Sequence, residues 1–179
     1  MNTQLYLSQE VLDHFELSAT DLKSDTATPL SFDWSCLWRC DHLIGTEDTG
    51  EHVFLFTNAV TQYSILLTDT EADIHLLLDA FHDQLQQRFQ AEEEEHSALQ
   101  WWGKLDLFSD SAPSLERQMN GIAETCIVEL LASDGQLDFA ENHINNIQMG
   151  TFSPQQKTVR QMDLATTTRL KRTAGSRSR

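Results

Sequence analysis

The stretch His52–Leu67, HVFLFTNAVTQYSILL, restricts the fold of this chain more than any other. Two apolar runs flank a short polar turn, the pattern of two antiparallel strands joined by a hairpin. In HVFLF the apolar residues occupy both parities. Side chains alternate between faces along a strand, so such a run needs cover on both sides, as a central strand has. The turn itself carries Asn58 and Thr61. An Asn can close its own turn with an Asx hydrogen bond and a Thr can return one, so both residues have a local explanation as turn formers.

Other elements follow from periodicity. TQLYL (Thr3–Leu7) alternates as a first strand, and Ser8 can cap a short helix with Val11, Leu12 and Phe15 on its inner face. Residues 18–33 are rich in Ser, Thr and Asp, include Pro29, and read as a loop. WSCLWRCDHLI (Trp34–Ile44) alternates, with Trp34, Cys36, Trp38 and Cys40 on one face. After the turn GTEDTG, the hairpin completes a meander over residues 34–68. Ile74, Leu77, Leu78, Phe81, Leu85 and Phe89 form one helical stripe. GKLDLFS supplies a fifth strand. A second long helix turns Leu115, Met119, Ile122, Cys126 and Leu130 inward and stops at Asp134–Gly135; a shorter one buries Leu137, Ile144 and Ile147.

The expectation is an α+β domain over residues 1–152. An antiparallel sheet of about five strands, the meander at its centre, carries two long and two short helices. Residues 153–179 lack periodicity and read as a basic, disordered tail.

Charge narrows the partners. Residues 157–179 hold seven Lys/Arg against Asp163, a net of +6; with −16 for the whole chain, the first 156 residues carry −22. Such a body repels phosphate backbones and suits a basic protein surface. In the tail, Arg169, Lys171, Arg172, Arg177 and Arg179 are candidates for contacting nucleic acid or for folding back on the acidic body. The N-terminus has no leader pattern and no apolar run approaches the roughly 20 residues of a membrane span. With only three cysteines, Cys36, Cys40 and Cys126, expected as buried thiols, the setting reads as cytoplasmic.

Catalytic motifs with a nucleophile, a phosphate loop or HExxH spacing are absent from the sequence, which leans away from an enzyme, and no cofactor is expected. The metal candidate is His75, Asp79 and His82 on one helix face, beside the more ordinary reading of a solvated polar face. Arg117 and Asn120 share a face near the start of the second long helix, an arrangement suited to an anion or to a plain ion pair. If hairpin and helix adjoin, Asn58, Thr61, Arg117 and Asn120 would line one small-molecule or nucleotide site.

The succession of a Trp-bearing strand, LFTN…T…S (Phe56, Thr57, Asn58, Thr61, Ser64) and R-x-M-N (Arg117, Met119, Asn120) resembles a bacterial family. It is a domain-of-unknown-function family whose members have been called plasmid-related proteins. The likeness covers about residues 3–150 and implies a shared fold without any activity to carry over. Gln118 stands where that pattern has Gly, and the turn before Phe54 is acidic where the family carries basic residues. The leading expectation is a non-enzymatic interaction module with an acidic body.

Overall fold

The computed structural model describes residues 3–18, 20–23, 37–46, 50–89, 105–109, 113–147, 153–157 and 160; of residues 46, 89 and 113–118 it describes the backbone. Among the described residues there are five strands: β1 (Thr3–Leu7), β2 (Leu37–Thr46), β3 (Glu51–Asn58), β4 (Ser64–Asp69) and β5 (Leu105–Ser109). Helices α1 (Gln9–His14), α2 (Ile74–Phe89), α3 (Pro113–Ala132) and α4 (Leu137–Asn146) pack around them. Further helical residues are described at 154–157 and at 160, inside the stretch expected as tail.

The class is α+β, but the sheet is mixed rather than antiparallel. Its order is β4-β3-β2-β1-β5, and β1 runs parallel to both β2 and β5. The meander β2–β4 therefore runs from one edge of the sheet to its central strand, β2, instead of lying between other strands on both sides. Short turns can only return a strand antiparallel, whereas the long connections through α1 and α2 allow parallel pairing. Nor does the helix count of two long and two short hold, because the helical residues at 154–157 and 160 come in addition.

Both faces of the sheet are covered. On one, Leu5, Leu7, Trp38, Cys40, Phe54, Phe56, Ile65 and Leu67 meet Val11 and Leu12 of α1 and Ile74, Leu77, Phe81 and Leu85 of α2. Phe81 is the pivot, stacked on Phe56 with centroids 4.1 Å apart and edge-on to Trp38 at 5.2 Å. On the other face Leu55 and Leu66 meet Met119, Ile122, Cys126 and Leu130 of α3 and Ala140 and Ile144 of α4. The double-sided apolarity of HVFLF is thus accounted for by a helical layer on each side of β3.

Strand β4 ends the sheet, and an open edge presents unpaired backbone groups. Helix α4 covers this one with side chains. Asn145 accepts from the Ser64 N–H and donates to the Ser64 carbonyl, each at 2.8 Å, while Glu141 accepts from the Leu66 N–H at 2.9 Å. These residues lie one helical turn apart and match alternate residues of the strand. Arg88 of α2 reaches round the edge to clamp Glu141 through both carboxylate oxygens. Burial disfavours the Arg88 cation, but its hydrogen bonds to Glu141 and Tyr63 outweigh that and raise its pKa.

Candidate metal centre

The turn at Asn58–Thr61 is a closed local unit. Asn58 Oδ1 accepts from the Val60 N–H, the Thr61 N–H and the Thr61 hydroxyl at 3.0, 2.9 and 3.1 Å. Thr61 Oγ1 in turn accepts from the Tyr63 N–H at 3.2 Å. Both side chains are buried. They hold the hairpin that fixes the register of β3 against β4. Asn120 lies exposed on α3, and the side chain of Arg117 lies outside the described residues, as do Trp101, Trp102 and the tail cations Arg169, Lys171, Arg172, Arg177 and Arg179. On α2, His75 and Asp79 are exposed and His82 is half-buried.

A different set of imidazoles converges. His14 ends α1, His42 lies in β2 and His52 in β3, and their ligand atoms all fall within 4.8 Å of one another. All three rings are half-buried on the α1/α2 side of the sheet, against Phe15 and Phe54. The pair His42 Nε2 and His52 Nδ1 stands at 3.0 Å, one nitrogen donating to the other. Two nitrogens bound to one tetrahedral zinc at ordinary bond lengths are roughly 3.3 Å apart. That pair therefore needs to open only slightly to admit an ion between them, and His14 has to close in.

Backbone details build the cluster. Pairing shifts register between His42 and Ile44, a β-bulge that leaves Leu43 as the extra residue. Beyond the bulge Gly45 instead of Ile44 falls on the face of His42, directly opposite His52. A Cβ at Gly45 would lie 2.5 Å from His52 Nδ1 and 2.7 Å from its Cε1, so the missing side chain is what makes room for the ring. Helix α1 brings the third histidine, held over the sheet by buried Val11 and Leu12.

The electrostatics favour the neutral form of His14 and His42. Burial, then the proximity of His52, lowers the pKa of His14, with Asp69 opposing. Burial, then His14 and His52, lowers that of His42, with Glu10 opposing. Neutral imidazole is the form that ligates metal. His14 Nε2 is buried and has no hydrogen-bond partner among the described residues. An orphaned buried nitrogen of this kind costs about 1–3 kcal/mol unless something satisfies it. Three imidazoles are a donor set for zinc, copper, iron or nickel rather than for magnesium or calcium.

The three histidines have no sequence spacing in common, so no motif joins them. One signal does exist in the sequence: His42 and His52 flank the turn GTEDTG on either side of a hairpin. Elsewhere, a groove of about 270 Å³ lined by Phe139, Asn142, His143, Asn146 and Ile147 lies on α4, in the opposite layer from the histidines. Among the described residues no helix is long and apolar enough to cross a membrane. No protein-family model matches the chain, and no curated protein is similar to it.

Proposed function

We propose that this protein binds one divalent transition-metal ion through His14, His42 and His52, and that this centre is the core of its function. The observation that carries the reading is the convergence of three imidazoles from three elements, with a glycine opposite His52 leaving space for its ring. Calorimetric titration of the metal-free full chain with Zn²⁺ tests it. Binding of one ion per chain is expected, weakened at least tenfold in each of His14→Ala, His42→Ala and His52→Ala, and unchanged in His75→Ala. Binding that survives all three substitutions at full strength refutes the assignment.

A second reading, compatible with the first, is a cytoplasmic interaction module whose acidic surface meets a basic protein. Of the five cations in residues 1–156, three pair internally: Lys23 with Asp106 at 2.6 Å, Arg39 with Asp41 at 2.7 Å, and Arg88 with Glu141. Lys104 and the Arg117 side chain lie outside the described residues. Internal pairing of the cations leaves the surface field to the acids. A reducing compartment is supported by Cys40 and Cys126, both buried free thiols. The domain-of-unknown-function family is proposed to share this fold, on the hairpin and helix-start residues that carry the likeness. Partner capture that persists unchanged as salt is raised refutes the acidic-surface reading.

A further inference from the structure

We infer that the metal held by His14, His42 and His52 keeps a fourth coordination position open to solvent, and that this position takes a small anionic donor. The inference rests on the metal-binding reading above and assigns the ligand class of that site.

Solvent can reach the cluster. Sites that use a metal only as a staple are closed by four protein ligands, whereas three ligands leave a position for water or substrate. His14, His42 and His52 are each half-buried and Gly45, opposite His52, is exposed, so the cluster approaches solvent on its Gly45 side, while His14 Nε2 faces inward. Among the described residues Asp69 is a carboxylate on the same sheet, and its oxygens already accept backbone N–H groups. It pairs with His52 across the β3–β4 ladder, and the N–H groups it accepts are those of Glu71 and Ala72, at 3.3 and 2.8 Å. Those bonds shape the turn into α2, where Ala72 has a φ of +52°. Glu10 lies one turn before His14 on α1, on an exposed position.

Charge then selects the ligand. Three imidazoles contribute no charge, so the bound ion keeps its +2 and attracts an anion at the open position. The protein around it works the other way at longer range. A body of −22 repels ligands in proportion to their negative charge beyond the site itself. The charge of the ion favours an anion at contact, and the half-buried rings around it favour a small one, such as a carboxylate or a pseudohalide. Phe15 and Phe54 add an apolar wall on one side, which suits a compact ligand with a weakly hydrated body.

Cobalt(II) substitution reads the open position directly, because its visible spectrum reports coordination number and ligand type. The full chain, loaded with one Co²⁺, is titrated with azide, thiocyanate and acetate, and its mass in solution is followed in parallel. A saturable spectral change with each anion, in a monomer, is the expected result, absent when His52→Ala has abolished cobalt binding. If cobalt binds through the histidines and the spectrum ignores every anion, the site is closed and the inference is wrong. It is equally wrong if Glu10→Gln is needed before anions act, since Glu10 is then the fourth ligand. Cobalt-dependent dimerisation overturns it too, because a second copy then supplies the donor. Failure of cobalt to bind, or binding untouched by the histidine substitutions, removes the metal-binding reading itself and this inference with it.

Discussion

Replacing Glu141 tests whether a helix can stand in for the missing neighbour of an edge strand. Glu141→Ala deletes the acceptor of the Leu66 N–H and both carboxylate contacts of the Arg88 guanidinium, which keeps Tyr63 and Gln84. A hydrogen bond to a charged group contributes roughly 1.5–3 kcal/mol, and breaking a fully buried ion pair costs roughly 3–5 kcal/mol. The second figure needs discounting, because the Arg88 side chain keeps 26% of its exposure against 9% for Glu141 and can turn towards water. The expected loss is about 2–4 kcal/mol by urea denaturation. Glu141→Gln keeps an acceptor for Leu66 and should lose about half of that. Amide exchange adds a local readout: the Leu66 N–H should lose protection in Glu141→Ala, and the Ser64 N–H in Asn145→Ala. The double substitution should also raise self-association, since it uncovers the β4 edge. Should Glu141→Ala fall within about 0.5 kcal/mol of wild type, the range of an ordinary surface change, with Leu66 protection intact, α4 does not hold this edge as argued.

Asn58→Ala strands three donors in a buried turn, so about 1–3 kcal/mol of stability should go, while zinc affinity of the folded protein stays as it was; a variant of wild-type stability refutes the turn-closing role. Gly45→Ala should fold with nearly unchanged stability yet bind zinc at least tenfold more weakly, because the new methyl displaces the His52 ring; unimpaired affinity by calorimetry argues against the cradle. Burial pushes the Cys126 thiol up to about 12, so the native protein should resist alkylation by iodoacetamide that the unfolded chain undergoes readily. That thiol is neutral in both states below its unfolded value near 9, and only the unfolded chain ionises above it. The stability that wild type holds over Cys126→Ala should therefore shrink between pH 9 and about 12, by up to about 1.4 kcal/mol per pH unit. An advantage constant across that range refutes the burial argument.

What sequence could and could not reveal divides along physical lines. The apolar stripes were legible because burial leaves a period: Ile74, Leu77, Phe81 and Leu85 face the sheet, as do Met119, Ile122, Cys126 and Leu130. Turn chemistry was legible for the same reason, since Asn58 and Thr61 act within a few residues of themselves. The parallel pairing of β1 with β2 and β5 was not, because nothing local records which way a strand returns after a long connection. Glu141 and Asn145 were hidden for a different reason. On an amphipathic helix they read as solvated polar positions, yet both are buried against backbone groups of β4 more than seventy residues away. Polar burial of this kind follows the partner and not the period.

The histidines combine both obstacles. His14 reaches the others only through the packing of α1, so no spacing could have joined them. His42 and His52 share a hairpin, but which face they share with Gly45 depends on the bulge at Leu43, and a single extra residue reverses the parity of everything beyond it. Without that bulge Ile44 instead of Gly45 would stand against the His52 ring, and the ring could not lie where it does. A β-bulge leaves one residue unpaired, interrupts the ladder and re-aims the side chains beyond it. Here the bulge, the side-chain-free position opposite His52, and the buried His14 nitrogen without a partner among the described residues all fall within one cluster. All three features bear on the imidazoles to which the proposed metal ion is assigned.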